Sequence, residues 1–224
     1  MIEIFLLSLV QGITEFIPVS SSSHLIILSN YLNFDNHNFS IDVSLHIGSF
    51  LAVITYFKKD ISDFVSNKLL FIKIVTSSIP VMVFGFLLIK FSLIDILRSI
   101  KIIGWATIIF GIFLYVSEKF NIKKKIKKDF TFKSAIFIGI FQILSLIPGV
   151  SRSGITITAA RMLNFDRFES AKISFLLSVP TLGAVTCFGM YNLIKSGDVN
   201  FSLINLISII LSFIFSFLII KYFL

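Results

Sequence analysis

FIPVSSSSHLIILSNYLNFD, from Phe16 to Asp35, aligns with LIPGVSRSGITITAARMLNFD, from Leu146 to Asp166, once a single inserted glycine is allowed. The two stretches share Ile-Pro, Val-Ser, a second serine at fixed spacing and a closing Leu-Asn-Phe-Asp, so one unit occurs twice in the chain. Outside them the likeness is weak, as in SFLAV (Ser49 to Val53) against SFLLSV (Ser174 to Val179). Each copy follows a short apolar segment that ends at a proline, Met1 to Phe16 or Ser134 to Ile147, and runs into a second short apolar piece. A polar knot between two half-length apolar segments reads as a broken, re-entrant helical hairpin.

The surrounding chain is built for lipid. Of 224 residues, 56% are apolar, only 14% are charged and 27 are phenylalanine, and the mean hydropathy is +0.96. A soluble domain carries about a quarter charged residues, so a soluble globule is excluded. Apolar stretches long enough to span a bilayer fall at roughly 41–57, 69–89, 101–117, 171–192 and 201–223, each near the 20 or so residues a spanning helix needs. The expected architecture is an all-α integral membrane protein: an inverted-topology repeat with two broken re-entrant helical hairpins and about five full transmembrane helices. It forms one membrane domain, residues 1–224, with repeat one at about 1–90, repeat two at about 134–224 and a basic loop at about 118–133. The first segment, MIEIFLLSLVQGITEF, has neither a basic start nor a small-residue cleavage site and is read as mature protein. The single cysteine, Cys187, excludes an internal disulfide and is read as a packing residue.

Lys and Arg outnumber Asp and Glu by 20 to 12, a net charge of +8. In a membrane chain that excess belongs in cytoplasmic loops, and nucleic acid is not needed to explain it. Lys58, Lys59 and Lys68 fall in one loop. Lys119, Lys123, Lys124, Lys125, Lys127, Lys128 and Lys133 fall in the loop two crossings later, hence on the same side. The opposite side holds Lys90, Arg98, Lys101 and Lys195 and faces outward. The first hairpin then hangs from the outer face and the second from the inner, which is what an inverted repeat produces. Their tips are expected to meet within the membrane. The lysine run from Lys123 to Lys128 is read as a solvated loop drawn to anionic lipid.

Ionisable groups at membrane depth are functional candidates by default. Gln11 and Glu15, one helical turn apart, could hold a divalent cation or move a proton, or Glu15 could pair with Arg152 or a lysine simply to join helices. His24, after the serines Ser20 to Ser23, could act as acid, base or phosphoryl acceptor, while the serine run could equally serve as capping hardware. His46 is read as a packed or hydrogen-bonded helix residue and His37 as an exposed loop residue. PGVSRSGIT (Pro148 to Thr156) has the composition of an oxyanion site. Arg152 offers a bidentate guanidinium, Ser151, Ser153 and Thr156 offer hydroxyls, and Gly149 and Gly154 allow backbone N–H groups to approach at a helix start.

At QGITEFIPVSSSSH (Gln11 to His24), HIGSFLAVITYFKKDI (His46 to Ile61) and PGVSRSGIT continuing into SFLLSVP (Ser174 to Pro180), the sequence resembles the bacterial undecaprenyl-pyrophosphate phosphatase family of bacitracin-resistance proteins. The resemblance implies a multi-pass enzyme of the inner (plasma) membrane with an outward-facing site. Its reaction removes the terminal phosphate of undecaprenyl pyrophosphate, a polyprenyl pyrophosphate lipid, to regenerate the carrier for peptidoglycan synthesis. It also implies a divalent-cation requirement, Mg²⁺ or Ca²⁺, and a homodimer is an open partner state. Carried over by motif, the catalytic residues are Glu15, Ser21, His24 and Arg152. Ser20, Ser22, Ser151, Ser153, Gly154 and Thr156 bind substrate, and Glu15 with Gln11 holds metal. Whether Ser21 or His24 attacks stays open. Gln11 stands where the family often has Glu, Ser23 replaces the usual Gly before the His, and the family normally carries one further C-terminal span. The rival class is a flippase for polyprenyl phosphate with the same architecture, which needs an anion clamp but no nucleophile. A purely structural membrane protein has no use for so many polar groups at depth.

Overall fold

Five helices in a computed structural model of the chain are long and apolar enough to cross a membrane, by length and composition: Phe39–Tyr56, Lys68–Lys90, Ile100–Ser117, Arg167–Lys195 and Leu203–Tyr222. They fall where the hydropathy of the sequence puts them. The structure describes residues 1–32, 34, 38–91, 93–97, 99–119, 124–196 and 203–223. His37, Arg98, Lys123 and Asp35 of the first motif copy, which the sequence reading uses, lie outside the described residues.

In chain order the helices are α1 (Ile2–Thr14), α2 (Ser21–Leu32), α3 (Phe39–Tyr56), α4 (Lys58–Ser66), α5 (Lys68–Lys90), α6 (Ile94–Leu97), α7 (Ile100–Ser117), α8 (Ile126–Asp129), α9 (Phe132–Ile143), α10 (Arg152–Met162), α11 (Arg167–Ser196) and α12 (Leu203–Phe223), with a 3-10 turn at Leu144–Leu146 after α9. Short polar residues fix several starts by accepting a backbone N–H three residues on. Asn38 does so from Ile41 at 3.1 Å, Asn67 from Leu70 at 3.2 Å and Thr131 from Ser134 at 3.2 Å.

Lipid offers no hydrophobic drive for one helix to prefer another over the acyl chains, so close packing and internal hydrogen bonds must do the joining. The α3–α12 seam uses both. Ser49 Oγ lies 3.2 Å from Ser212 Oγ and 3.0 Å from Ser216 Oγ, and Asn205 Nδ2 donates to Ser40 Oγ at 2.6 Å and Ser44 Oγ at 2.9 Å. Glycines seat the two short helices: a Cβ on Gly12 of α1 would strike Phe215 and Ser216 of α12, and one on Gly139 of α9 would strike the Ser77 carbonyl of α5. At one end of the bundle Phe16, Phe57, Phe165 and Phe175 share a buried cluster, with the rings of Phe16 and Phe175 5.8 Å apart.

One sequence reading changes. Cys187 is exposed rather than packed: α11 is apolar all round at that level, so sequence alone could not say which face meets lipid. Lys125 is exposed, and its Nζ pairs with Asp166 and lies 3.9 Å from Glu169. Burial works to raise the Asp166 pKa, yet the Glu169 N–H and the Lys125 ammonium outweigh it and hold that carboxyl below its ordinary range.

Candidate active site

Each motif copy folds as a tight turn and a short helix, α2 or α10, and follows another short helix, α1 or α9. Glu15 caps α1, its N–H bonded to the Gln11 carbonyl, and the chain turns with the Val19 N–H on the Ile17 carbonyl at 2.7 Å before α2 begins. In the second copy the Val150 N–H donates to the Ile147 carbonyl at 3.0 Å, and Ser151 caps α10 by accepting the Gly154 N–H at 3.1 Å. The inserted glycine, Gly149, has φ 101°, and a Cβ there would meet the Ile103 carbonyl and Ala106. Only glycine takes that angle cheaply and lets the turn lie flat against α7.

The two turns touch each other. Ser153 Oγ donates to the Ile17 carbonyl at 2.8 Å, and the Gly149 N–H points at Ser20 Oγ at 3.4 Å. At the centre is Glu15. Its Oε1 accepts from Arg152 Nη2 at 2.8 Å, while its Oε2 accepts from Ser21 Oγ at 2.7 Å and from Gln11 Nε2 at 3.2 Å. Ser21 and Arg152 occupy equivalent places in the aligned copies, so the repeat supplies a hydroxyl to one oxygen of a single carboxylate and a guanidinium to the other. The pair is well shielded, its side chains 16% and 6% exposed. Arg152 Nη1 is buried without a protein partner among the described residues, which leaves half of a bidentate fork unused.

A cavity of about 480 Å³ opens beside this pair. Glu15, Ser20, Ser21, Ser22, Ser151, Arg152, His46 and Gln142 supply polar groups to its wall. Val81, Gly85 and Phe86 of α5 and Leu182, Val185 and Phe188 of α11 supply the apolar part. Such a space suits a molecule with a charged head and a hydrocarbon body.

Six of the residues singled out from sequence therefore share one cavity: Glu15, Ser20, Ser21, Ser22, Ser151 and Arg152. Others stand behind or away from it. Gln11 is buried behind Glu15. Ser153 ties the turns together, and Thr156 Oγ1 bonds the Arg152 carbonyl at 2.9 Å and Ser174 Oγ at 2.8 Å. Gly154 gives its N–H to the Ser151 cap. His24 is exposed on α2 and donates from Nδ1 to the Ser20 carbonyl at 2.7 Å.

Three residues carry more than the sequence suggested. His46 is hydrogen-bonded, as expected, but its partner is Gln11 Nε2, 3.2 Å from Nδ1, and it lines the cavity. Gln142, a single amide in an apolar run, drew no attention although Gln11 occupies a comparable place ahead of the first turn. Arg161 is wholly buried at the far end of α10. It donates to the Phe165 carbonyl at 3.2 Å and the Glu118 carbonyl at 3.1 Å, and so fixes the helix that carries Arg152.

For a divalent cation the donor set is one carboxylate, Glu15, and one amide oxygen, Gln11 Oε1, which is buried and unpartnered. Among the described residues no group of three or more His, Cys, Asp and Glu could hold a metal. Gln11 turns its Nε2 toward Glu15 and His46 and does not line the cavity, so of this pair Glu15 is the group placed to meet an ion there, and an ion of the Mg²⁺ kind can share itself between one carboxylate, waters and substrate phosphates.

The sequence profile described as "Bacitracin resistance protein BacA" matches residues 4–224. The chain belongs to that family. Similar proteins include one named undecaprenyl-diphosphatase from Pelagibacter ubique (strain HTCC1062), 47% identical over 225 residues that cover 100% of this chain and 87% of that protein. Another of the same name, from Jannaschia sp. (strain CCS1), is 40% identical over 94% of this chain and 84% of its own. Family membership and the five spanning helices together make the chain a multi-pass membrane protein.

Proposed function

We propose that the chain is an undecaprenyl-diphosphatase that converts undecaprenyl pyrophosphate to undecaprenyl phosphate, and so recycles the lipid carrier for peptidoglycan synthesis and confers bacitracin resistance. The observation that carries this reading is the convergence on Glu15 of Ser21 from one turn and Arg152 from the other, beside a cavity walled by apolar helices. The diphosphate head lies against the two turns and the prenyl chain between α5 and α11. Ser20, Ser22, Ser151 and the second-turn backbone help hold the head, with Ser153, Gly154 and Thr156 keeping that turn in shape.

Ser21 is the nucleophile this geometry favours, because its hydroxyl already donates to a carboxylate at 2.7 Å whereas His24 sits on the exposed side of α2. Its Oγ attacks the terminal phosphorus as Glu15 takes the proton, and the bond from that phosphorus to the bridging oxygen breaks with its electron pair leaving on the lipid monophosphate. Water then cleaves the seryl phosphate, inorganic phosphate departs and the proton returns to Ser21. His24, which does not line the cavity, is given no step. Arg152, with its free Nη1, faces the charge that builds on the phosphoryl oxygens, the largest single source of rate in such reactions. Glu15 and Gln11 would hold Mg²⁺ or Ca²⁺ against the diphosphate, where the ion supplies charge neutralisation.

The finer architecture belongs to the same reading. The motif copies form re-entrant hairpins in an inverted repeat spanning about 1–90 and 134–224, with the basic loop at 118–133 in the cytoplasm and the site open to the outer face of the plasma membrane. Support comes from the parallel seating of α1 on α12 and α9 on α5, each through a glycine, and from the loop charges. The test is phosphate release by the purified chain from undecaprenyl pyrophosphate. One phosphate per lipid, with undecaprenyl phosphate as the other product, is expected; intact lipid moved across vesicles with no release would favour a flippase and sink the enzymatic reading.

A further inference from the structure

Gln142 is an amide with nothing to bind. It is wholly buried on α9, yet neither its Nε2 nor its Oε1 has a hydrogen-bond partner among the described residues. A buried amide brings two donors and an acceptor, and leaving them unmet is costly enough that native interiors contain few such groups. Isolated hydroxyls at Ser8, Ser29, Ser77 and Thr186 are also unpartnered, but none of those residues lines the cavity, whereas Gln142 does, alongside Ser145 and Leu146. The other cavity-lining residue with an unmet polar atom is Arg152, through Nη1. Both residues line one space, Gln142 from α9 and Arg152 from the start of α10, and the diphosphatase reading puts the diphosphate in that space.

We infer that Gln142 is a headgroup-binding residue: its Nε2–H donates to a phosphate oxygen of the lipid diphosphate from the α9 side, while Arg152 Nη1 donates from α10. The amide oxygen accepts from water retained around the head. This rests on the diphosphatase reading, which assigns the ligand class. It adds a neutral donor that holds the anion without adding a charge the empty site would have to stabilise. Because the contact exists in ground state and transition state alike, it acts on binding, raising KM when lost and leaving kcat nearly unchanged.

The experiment compares wild type, Gln142→Met, Gln142→Glu and Ser29→Ala, purified in detergent, by phosphate-release kinetics on undecaprenyl pyrophosphate and by thermal unfolding with and without inorganic pyrophosphate. Gln142→Met is expected to unfold at the wild-type temperature or above without ligand, because no protein hydrogen bond is removed. Its KM should rise at least tenfold, about 1.4 kcal/mol of binding, and the stabilisation by pyrophosphate should shrink. Gln142→Glu, nearly the same shape, replaces the donor with a repelling charge and should weaken binding further; it also carries the test should the Met variant not fold. Ser29→Ala, which removes an orphaned hydroxyl away from the cavity, should change none of these. Unchanged KM and an unchanged pyrophosphate shift in both Gln142 variants overturn the inference, as does a ligand-free unfolding temperature lowered by several degrees with binding intact. Were wild type to release no phosphate, the diphosphatase reading would fail separately, and the pyrophosphate shift would still decide whether Gln142 contacts the anion.

Discussion

Arg152 Nη2 lies 2.8 Å from Glu15 Oε1 although the two residues are 137 positions apart. The contact joins the turns of two copies of one motif, and both side chains are mostly shielded. Removing one member of a buried pair strands the other, at a cost of about 3–5 kcal/mol. Neutralising both together leaves neither charge stranded. Arg152→Ala and Glu15→Gln should therefore each lower the unfolding temperature measurably, while Glu15→Gln/Arg152→Gln recovers most of it; scanning calorimetry in one detergent measures all three.

Ser21 is half-buried and, among the described residues, its side chain bonds Glu15 alone, so Ser21→Ala should unfold within a degree or two of wild type. Its phosphate release should fall by roughly 10³-fold or more, as loss of a nucleophile does. Steady-state assays beside a melting curve separate the two effects.

Gly149→Ala meets two obstacles together: φ of 101°, unfavourable for any L side chain, and the Ile103 carbonyl in the path of the new methyl. A cost of about 1–3 kcal/mol follows from the backbone conformation, with a further loss of activity because the Ser151 cap and Arg152 shift with the turn. Thermal unfolding and kcat/KM should fall together, unlike the Ser21 variant.

Lys125 is exposed, and its pairing with Asp166 is of the surface kind that contributes little. Lys125→Cys in a Cys187→Ser background should keep activity within about twofold. It should also react with a membrane-impermeant maleimide only from the cytoplasmic side, as the charge asymmetry of the loops requires. Labelling of intact cells against opened vesicles gives the answer.

Chelation tests the donor set. On the proposed assignment of the ion to Glu15 and Gln11, one carboxylate and one neutral amide hold it weakly without substrate, so EDTA should abolish phosphate release while hardly changing the melting temperature of the ligand-free protein. Added Mg²⁺ or Ca²⁺ should restore it, and Gln11→Leu should raise the cation concentration needed.

The spanning helices were legible because twenty apolar residues in a row have few alternatives to a bilayer. Glu15, Ser21 and Arg152 were legible because the polar motif occurs twice, and the structure brings the two turns into contact at those residues. Sequence could not show that Glu15 and Arg152 both pair and border a cavity, a combination of the helix-joining and functional roles that had stood as alternatives. Nor did it mark Gln142, His46 or Arg161 as it marked the motifs. One amide or imidazole in an apolar run has no periodicity, and what matters about each is a neighbour on another helix. Cys187 was misjudged for the same reason, since α11 gives no sign of which face turns outward.

The central claim is that the Glu15–Arg152 pair does chemistry rather than merely fastening two turns, and the neutral double variant Glu15→Gln/Arg152→Gln separates these roles. Phosphate release from undecaprenyl pyrophosphate by that variant, folded and melting near wild type, should be lower by about 10³-fold or more, because both the base and the charge clamp are gone. A folded double variant that releases phosphate at the wild-type rate would contradict the account and leave the pair as glue.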